Sequence, residues 1–337
     1  MRKHVTFSIS SSPIRIGFVP LLDAAPLIAA QELGLFRKAG LDIRLRSEPG
    51  WATVYDKFVF GEFDAIQSLA GQALELRAGR FTAPSTGFAV PLFLNRGGSC
   101  IVLSRNWIDK GITTANQMLM TNRSSDTDRK LTFGAVHRLS SHGFLLQNWL
   151  RDAGATEDEI QIINLPPSLM ARNILSGHLD GICVGEPWCT HCTIDNHGTV
   201  VAIGDELAPN HPDKVFVVSS NLRQQRHAET LLLIQCIFHA AAWCDETVNH
   251  PNLASMLEHD HYLSLKADVI KRALSGEYHS ISNGKVNRVR FNRAAVLPSG
   301  TCLTWLAEQW HKNQWKGADH LPQLLDSKLF TEAFTSP

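Results

Sequence analysis

The chain has 337 residues, of which 44% are hydrophobic and 19% are charged, a balance typical of a globular protein rather than a disordered one. Its 32 lysines and arginines equal its 32 aspartates and glutamates in number, so it lacks the basic excess that nonspecific binding to nucleic acid or to an anionic membrane requires. One hydrophobic core rarely extends over this length, which predicts two lobes.

The amino-terminal twelve residues do not match the pattern of a signal peptide. Met1–His4 is basic, but Val5–Ser12 alternates polar and apolar residues and lacks the continuous apolar stretch of a signal peptide. No apolar run is long enough to predict a transmembrane helix. We therefore expect a cytoplasmic protein, with a periplasmic location as the alternative.

The seven cysteines are an odd number, and their spacing does not match a secreted disulfide framework. Four of them lie in apolar runs and are predicted to be small buried hydrophobic residues: Cys100, Cys183, Cys236 and Cys302. Cys189 and Cys192 form a single CxxC pair with no second pair at zinc spacing, which favours packing over a metal or redox role. We predict no metal site and no cofactor.

The first sixty residues of the folded region predict a β-loop-α-β-loop-α-β pattern. The apolar spacing predicts three strands, at Ile14–Val19, Leu41–Leu45 and Asp64–Leu69, and two helices, over Leu27–Ala39 and from Trp51 to Gly61. The loops Pro20–Pro26 and Glu48–Trp51 follow the carboxyl ends of strands. Open α/β sheets bind ligands at such ends, so these loops are predicted to form half of a small-molecule site.

A second copy of this pattern begins at Leu131, after strands predicted at Gly87–Leu94 and Cys100–Ser104. The run Gly177–Asp180 (GHLD) repeats Gly61–Asp64 (GEFD) at an offset of 116 residues. Two α/β lobes of one plan predict a two-lobed binding protein with a cleft between its lobes. The alternative is a chance similarity of two generic βαβ units.

The rest of the chain completes both lobes. Further strands are predicted at Thr199–Ile203 and Val215–Ser219, followed by a long helix over Asn221–Glu246 and a helical tail with a helix around Leu303–Lys312. We expect the tail to return over the first lobe. The predicted lobes are residues 13–98 plus 215–330, and residues 106–210.

Three stretches resemble the nitrate- and bicarbonate-binding proteins of the NrtA/CmpA type: GFVPLLDAAPLIAAQELGLFRKAGLD, SEPGWATVYDKFVFGEFDA and ICVGEPW. The resemblance implies an α/β fold of the periplasmic-binding-protein type II, with two lobes, a cleft and a helical carboxyl-terminal tail. A cytoplasmic branch of this family, the NasS-like nitrate/nitrite sensors, restrains an RNA-binding antiterminator of the NasT type until the anion binds. The lack of a signal-peptide pattern favours that branch.

The resemblance also implies an anion site. Its expected ligand-binding residues are Trp51, Ser99, His142, Pro167, Val184 and Lys214, with support from Gly50, Gly98 and Glu186. An indole N–H, an imidazole and one ammonium would supply the donors and the single positive charge that a planar monoanion such as nitrate requires. Glu186 is expected to orient His142 or Lys214.

Plainer interpretations of the same residues stay open. Trp51 could pack in a core, His142 could lie in a capping loop, and Lys214 could be a surface lysine. Ser99 stands where the family commonly has an amide, which leaves the choice between nitrate and nitrite open. Gly50 replaces the usual serine.

The expected function is therefore non-enzymatic binding of nitrate or nitrite by a sensor that controls an RNA-binding antiterminator without touching nucleic acid itself. The alternative is the receptor of an ABC transporter for nitrate, bicarbonate or a sulfonate-like ligand. A third hypothesis is an enzyme similar to the pyrimidine synthases of the same superfamily, whose cysteine-rich motif the lone Cys189/Cys192 pair matches poorly. No dinucleotide, P-loop, nucleophile-elbow or zinc-protease motif occurs.

Overall fold

The computed structural model describes residues 12–79, 87–125, 129–194, 196–276 and 288–335. The strands are β1 (Ile14–Phe18), β2 (Ile43–Ser47), β3 (Ala65–Leu69), β4 (Phe88–Phe93), β5 (Ser99–Ser104), β6 (Leu131–Ala135), β7 (Ile160–Asn164), β8 (Gly181–Gly185), β9 (Gly198–Ile203) and β10 (Lys214–Ser219). The α-helices are α1 (Ala25–Glu32), α2 (Leu35–Lys38), α3 (Trp51–Val59), α4 (Ala70–Arg77), α5 (Arg105–Ile108), α6 (Ala115–Arg123), α7 (Ser141–Asp152), α8 (Pro167–Leu175), α9 (Trp188–Ile194), α10 (Gly204–Leu207), α11 (Ser220–Gln225), α12 (His227–Asp245), α13 (His250–Leu257), α14 (Ala267–Ser275), α15 (Arg293–Val296), α16 (Leu303–Lys312) and α17 (Ser327–Thr335). Short 3-10 turns cover Leu22–Ala24, Thr247–Asn249, Gly300–Cys302 and Ala318–Gln323.

The strands form two five-stranded sheets of one plan. The first sheet has the order β2-β1-β3-β10-β4 and the second has the order β7-β6-β8-β5-β9. In each sheet the first three strands are parallel, and the fourth runs antiparallel to both of its neighbours. The α/β class and the internal repeat are therefore confirmed. We call the first sheet with its helices the first lobe and the second sheet with its helices the second lobe.

Equivalent aspartates tie the strands together in both lobes. Asp64, before β3, accepts a 2.9 Å hydrogen bond from the backbone N–H of Arg15 in β1 and also pairs with its guanidinium. Asp180, before β8, accepts a 2.8 Å bond from the backbone N–H of Thr132 in β6 and pairs with Arg129. These are the aspartates that end the repeated sequences GEFD and GHLD, so the repeat has a structural cause.

The chain passes twice between the lobes, after β4 and before β10. The strands of the first sheet lie within residues 14–93 and 214–219, and those of the second lie within residues 99–203. The exact limits proposed for the lobes, 13–98 plus 215–330 and 106–210, stay a prediction.

Two predicted long helices are interrupted. The helix expected over Leu27–Ala39 starts earlier, at Ala25, and divides into α1 and α2 at Gly34, whose φ of +67° is a left-handed conformation that suits glycine. The helix expected over Asn221–Glu246 divides into α11 and α12 at Arg226. Apolar periodicity continues across both breaks, which explains why it did not reveal them.

Helix α12 carries much of the core of the first lobe. It packs against α1 and α17, with a buried face that includes Leu233, Ile237 and Ala241. Among the described residues no single helix is long and apolar enough to span a bilayer, whereas α12 and Thr247–Leu257 pass that criterion only as a pair bent by 88°.

The helical tail packs in two places. The expectation that it covers the first lobe holds for α17, where Leu329 and Ala333 join the core beside α12. Helix α16, which has the predicted bounds Leu303–Lys312, packs differently. Its Trp310 is fully buried 5.8 Å from the ring of Phe144 in α7, within a cluster that includes residues of both lobes. The tail therefore joins the two lobes.

Candidate functional site

Lys214, the first residue of β10, is a fully buried cation between two carboxylates. Its Nζ lies 2.5 Å from Oδ1 of Asp213 and 3.0 Å from Oδ2 of Asp23. Ser141, at the start of α7, donates a 2.6 Å hydrogen bond to the same Asp213 oxygen. Gln67 in β3 donates to Asp23 and accepts a 2.8 Å bond from the N–H of Val19. The group therefore connects the strand ends of the first lobe with the first turn of α7 in the second lobe.

Burial and charge act in opposition on these three groups. Burial disfavours the charged form of Lys214, but both carboxylates outweigh it and raise the pKa of the lysine. Burial also disfavours the anion of Asp213, yet Lys214 holds the pKa of that carboxyl below its usual range. For Asp23 burial dominates over the attraction of Lys214 and raises its pKa to about 7. Lys214 and Asp213 thus form an ion pair, and Asp23 titrates near neutral pH.

Two unpartnered donors lie beside this ion pair. The Trp51 ring centroid is 5.5 Å from Lys214 Nζ, and the tryptophan is 2% exposed. Neither its indole Nε1 nor either ring nitrogen of the fully buried His142 has a hydrogen-bond partner within the described part of the chain. Burial, followed by the charge of Lys214, lowers the pKa of His142 to about 3, so its ring is neutral and carries one N–H. Buried donors of this kind are costly unless a ligand pairs with them.

Ser99 and Gly185 lie on the His142 side of the group. Ser99 is opposite Gly185 in the β5–β8 ladder, and its buried hydroxyl also has no partner among the described residues. A Cβ added to Gly185 would lie 3.2 Å from His142 Nε2, which places Gly185 against the imidazole. Val184 pairs with Cys100 in the same ladder, and its side chain points to the other face of the sheet. Pro167 is buried in the first turn of α8, after the edge strand β7 and two strands away from β8.

Gly50, Gly98 and Glu186 are the three residues expected to support the site. A Cβ on Gly50 would meet no atom within 4 Å, so packing does not require a glycine there. The carbonyl of Gly98 accepts a 2.9 Å bond from the N–H of Glu186. A carboxylate oxygen of Glu186 accepts a 3.0 Å bond from the N–H of Thr190 in α9. Asp213 and Asp23 hold the lysine, and neither nitrogen of the imidazole has a partner among the described residues, so the orienting role expected of Glu186 stays a prediction.

Lys214 was expected to be the one charged group in the site, and this is not what the structure shows, because Asp23 and Asp213 lie beside it. Asp23, Asp213, Gln67 and Ser141 were not foreseen, although two signals were present: Asp23 lies in the loop Pro20–Pro26 that was assigned to the site, and Asp213 precedes Lys214 directly. A buried lysine needs carboxylate neighbours, because unpaired charge is unfavourable in a protein interior.

One cysteine prediction is corrected as well. Cys100 in β5 forms a disulfide with Cys189 in α9, 89 residues away, whereas it was expected to be a free buried thiol. Cys183, Cys236 and Cys302 are free and buried, as expected. Ligand atoms of Cys100, Cys189 and Glu186 lie within 4.8 Å of one another, the one such group of three that the described residues contain. The disulfide withholds both sulfurs from a metal, since thiolates are the ligands.

Direct contacts hold the two lobes together over the site. The backbone N–H of Leu22 donates a 2.8 Å bond to the carbonyl of Glu186, and Trp188 Nε1 donates a 2.7 Å bond to the carbonyl of Pro20. Gly71 in α4 approaches the second lobe so closely that an added Cβ would lie 2.2 Å from the carbonyl oxygen of Leu139. The cluster around Lys214 is therefore enclosed by both lobes.

Known proteins share both sequence and fold with the chain. The bicarbonate transport ATP-binding protein CmpC of Synechocystis sp. is 33% identical over 76% of this chain and 39% of its own length. The nitrate/nitrite binding protein NrtA of Synechococcus elongatus is 25% identical over 95% of this chain and 74% of its own. The chain spans less than half the length of the first curated relatives it matches.

A solved structure confirms the predicted fold. The periplasmic nitrate-binding protein NrtA of Synechocystis PCC 6803 superimposes with a TM-score of 0.86, covering 95% of this chain and 88% of that one at 22% identity. The fold is thus the two-lobed one of periplasmic binding proteins. The sequence profile of the NMT1-like family matches residues 9–258. Since this match covers most of the sequence, the chain belongs to the NMT1-like family.

Proposed function

We propose that the chain is a non-enzymatic protein that binds a small oxyanion, nitrate or nitrite, between its two lobes. One observation carries the proposal: the buried Lys214 cation adjoins two buried donors, Trp51 Nε1–H and the His142 ring, that lack partners in the described structure. The names of the relatives NrtA and CmpC, which refer to nitrate, nitrite and bicarbonate, support the choice of a small anion.

The arrangement suits a weakly basic, planar anion. Lys214 and Asp213 are neutral as a pair, and Asp23 adds no charge when it is protonated. An anion that approaches Trp51 and His142 therefore meets two N–H donors and the lysine charge at short range. Because the carboxylates and Ser141 already hold the lysine in place, little ordering is required on binding.

Titration calorimetry with nitrate, nitrite, bicarbonate and methanesulfonate tests the proposal. We expect one nitrate or nitrite to bind per chain and the fluorescence of Trp51 to change, with the change missing in Trp51→Phe. Exchange of His142 for phenylalanine removes the second donor and should weaken binding about tenfold or more. Absence of heat and of a fluorescence change with both nitrogen oxyanions at millimolar concentration would refute the proposal, and a preference for bicarbonate would reassign the ligand.

Anion affinity should depend on the proton of Asp23. Its folded pKa of about 7 lies above the ordinary value of 3.8, so its ionisation costs stability as the pH rises from about 4 to 7. The same negative charge opposes the bound anion, so nitrate affinity should fall above pH 7, by at most tenfold per pH unit. His142 stays neutral throughout, because its pKa is about 3. Calorimetry from about pH 6 to about pH 8 measures the effect.

The matched variants for this pH dependence are Asp23→Asn and Asp42→Asn. The asparagine at 23 retains an oxygen for Gln67 but does not ionise, so the affinity of that variant should be level over the same range. Asp42 is exposed, and its replacement should preserve the pH dependence of the parent. A parental pH profile in Asp23→Asn would show that another group controls binding.

Gly71→Ala should weaken anion binding by holding the lobes apart. The new methyl group would lie 2.2 Å from the carbonyl oxygen of Leu139, and backbone atoms cannot rotate away. Overpacking typically costs about 1–3 kcal/mol, which corresponds to roughly 5- to 150-fold in nitrate affinity if the lobes must meet. Gly300→Ala is the control, because its Cβ would meet no atom within 4 Å. Unchanged affinity in Gly71→Ala would mean that closure is not needed for binding.

We further propose that the protein is a cytoplasmic sensor that restrains an RNA-binding antiterminator of the NasT type. The resemblance to NasS-like proteins supports this role, and the anion must favour one lobe arrangement to act as a switch. Capture of a response-regulator-like antiterminator that nitrate releases tests the sensor. Recovery of the protein in a periplasmic fraction, bound to a permease, would instead favour a transport receptor, as the names of the relatives suggest.

A further inference from the structure

A polar pocket of about 490 Å³ opens where the chain passes between the lobes. Its polar lining comes from Arg96, Asn210, Arg290, Asn292 and Ser299, none of which belongs to the cluster around Lys214. The backbones of Arg96 and Arg290 exchange two hydrogen bonds, of 3.0 and 2.8 Å. This pairing brings two guanidinium groups from distant parts of the sequence to one pocket.

Arg96 is a buried cation without a matching anion. Only 6% of the residue is exposed, and its guanidinium lies 3.7 Å from the ring centroid of Phe93. It donates one 3.2 Å hydrogen bond to the carbonyl of Asn95 and another to the sulfur of Cys302. Within the described ranges no carboxylate forms an ion pair with it, and burial lowers its pKa. An arginine fork in such a place is suited to a bidentate carboxylate.

The pocket as a whole retains one positive charge. Arg290 forms an ion pair with Asp205 through both terminal nitrogens, so the carboxylate of Asp205 is already engaged. Asp213 also attracts Arg96 electrostatically, but its charge is already paired with Lys214, and its Oδ1 accepts hydrogen bonds from Lys214 and Ser141. One monoanion would therefore balance the pocket.

The apolar part of the lining narrows the chemistry of the ligand. Pro209, Ala294 and Ala295 line the pocket together with the partly exposed indole of Trp305. An inorganic oxyanion would leave this apolar surface exposed to water. An organic ligand would cover it, and burial of apolar surface favours binding. Asn210, Asn292 and Ser299 offer hydrogen bonds to a polar substituent.

We propose that this pocket binds a small organic carboxylate, whose carboxylate pairs with Arg96 and whose carbon skeleton lies against Trp305. The site is separate from the proposed nitrate site and does not depend on it. Its ligand would contact the tail, through Arg290 and Trp305, and the segment after α10, through Asn210.

Alkylation of Cys302 by iodoacetamide, followed by peptide mass spectrometry, tests this proposal. Cys302 lines the pocket and is 9% exposed, whereas Cys236, which is 7% exposed in α12, serves as an internal control far from the pocket. Acetate, lactate, succinate, citrate and benzoate are the organic probes, and nitrate, phosphate and chloride are the inorganic ones. At a concentration ten times its Kd, a bound carboxylate should slow alkylation of Cys302 about tenfold and leave Cys236 unchanged.

Variants of the lining arginines complete the test. In each variant the alkylation rate of Cys302 is compared with and without probe. Arg96→Gln and Arg290→Gln should lose the protection of Cys302. Arg293→Gln changes an exposed neighbour outside the lining and should keep it. If Arg96→Gln fails to fold by circular dichroism, Arg290→Gln decides. Four outcomes would each overturn the proposal: equal protection of both cysteines, no protection by any organic probe, protection by nitrate or phosphate to the same degree, or full protection in Arg96→Gln or Arg290→Gln.

Discussion

Replacing Lys214 with alanine will abolish nitrate binding and lower the free energy of unfolding by about 3–5 kcal/mol, the usual cost of breaking a buried ion pair. The side chain is fully buried, and its ammonium lies 2.5 Å from Asp213 and 3.0 Å from Asp23. Its loss leaves both carboxylates in the interior without their cation. Urea unfolding followed by circular dichroism, together with calorimetry, measures the two effects on the same preparation.

Two further variants separate binding from stability. Lys57→Ala breaks the 2.6 Å pair with Glu48, but the lysine side chain is 28% exposed, so the expected loss is only about 0.2–1 kcal/mol. The triple change Lys214→Met, Asp23→Asn and Asp213→Asn removes all three ionisable groups and should restore stability without restoring binding. Retained nitrate affinity in Lys214→Ala would remove the lysine from the site, and parental stability would contradict the buried ion pairs.

The second large effect is expected from Trp310→Ala, at about 3–5 kcal/mol of unfolding free energy. The indole is fully buried, 5.8 Å from the ring of Phe144 and 5.2 Å from that of Trp315. Because Phe144 belongs to α7, which also carries His142, the cavity should loosen the anion site as well as the tail. The urea midpoint and the nitrate affinity measure the two consequences.

Trp243→Ala is the matched control for this tryptophan. Trp243 is partly buried on α12, in the core of the first lobe, and its replacement should cost clearly less than that of Trp310 and leave nitrate affinity unchanged. Equal losses in the two variants would contradict the role assigned to α16 as the element that joins the lobes.

Local patterns account for most of what the sequence could predict. Alternation and helical spacing located the strands within a few residues, and the GEFD and GHLD repeats foretold two sheets of one plan. The resemblance placed Trp51, His142 and Lys214 in one site, and the structure brings these three together. Such patterns can be recognised in a sequence because each depends on residues that are close together along the chain.

What the sequence did not reveal depends on pairings between distant segments. Asp23 meets Lys214 within the first lobe, and Cys100 meets Cys189 within the second, only after strands far apart in sequence have paired, and no spacing rule connects them. The same holds for α16, whose amphipathic pattern predicted a helix but not that it would pack between two lobes. Burial was not predictable either: Lys214 could have been a surface lysine from its sequence, but in the structure it is a buried cation with two acidic neighbours.

The position of β10 between β3 and β4 sets the order in which a growing chain can fold. The strands of the second sheet lie within one continuous segment, residues 99–203, so that sheet can complete itself during synthesis. The first sheet must wait for β10, since its edge strand β4 has no partner strand in that sheet until β10 arrives. Closing so long a loop is slow, and it leaves strand edges open in the meantime. Because β10 begins with Lys214, the nascent protein gains its buried lysine at the same step that completes the first sheet.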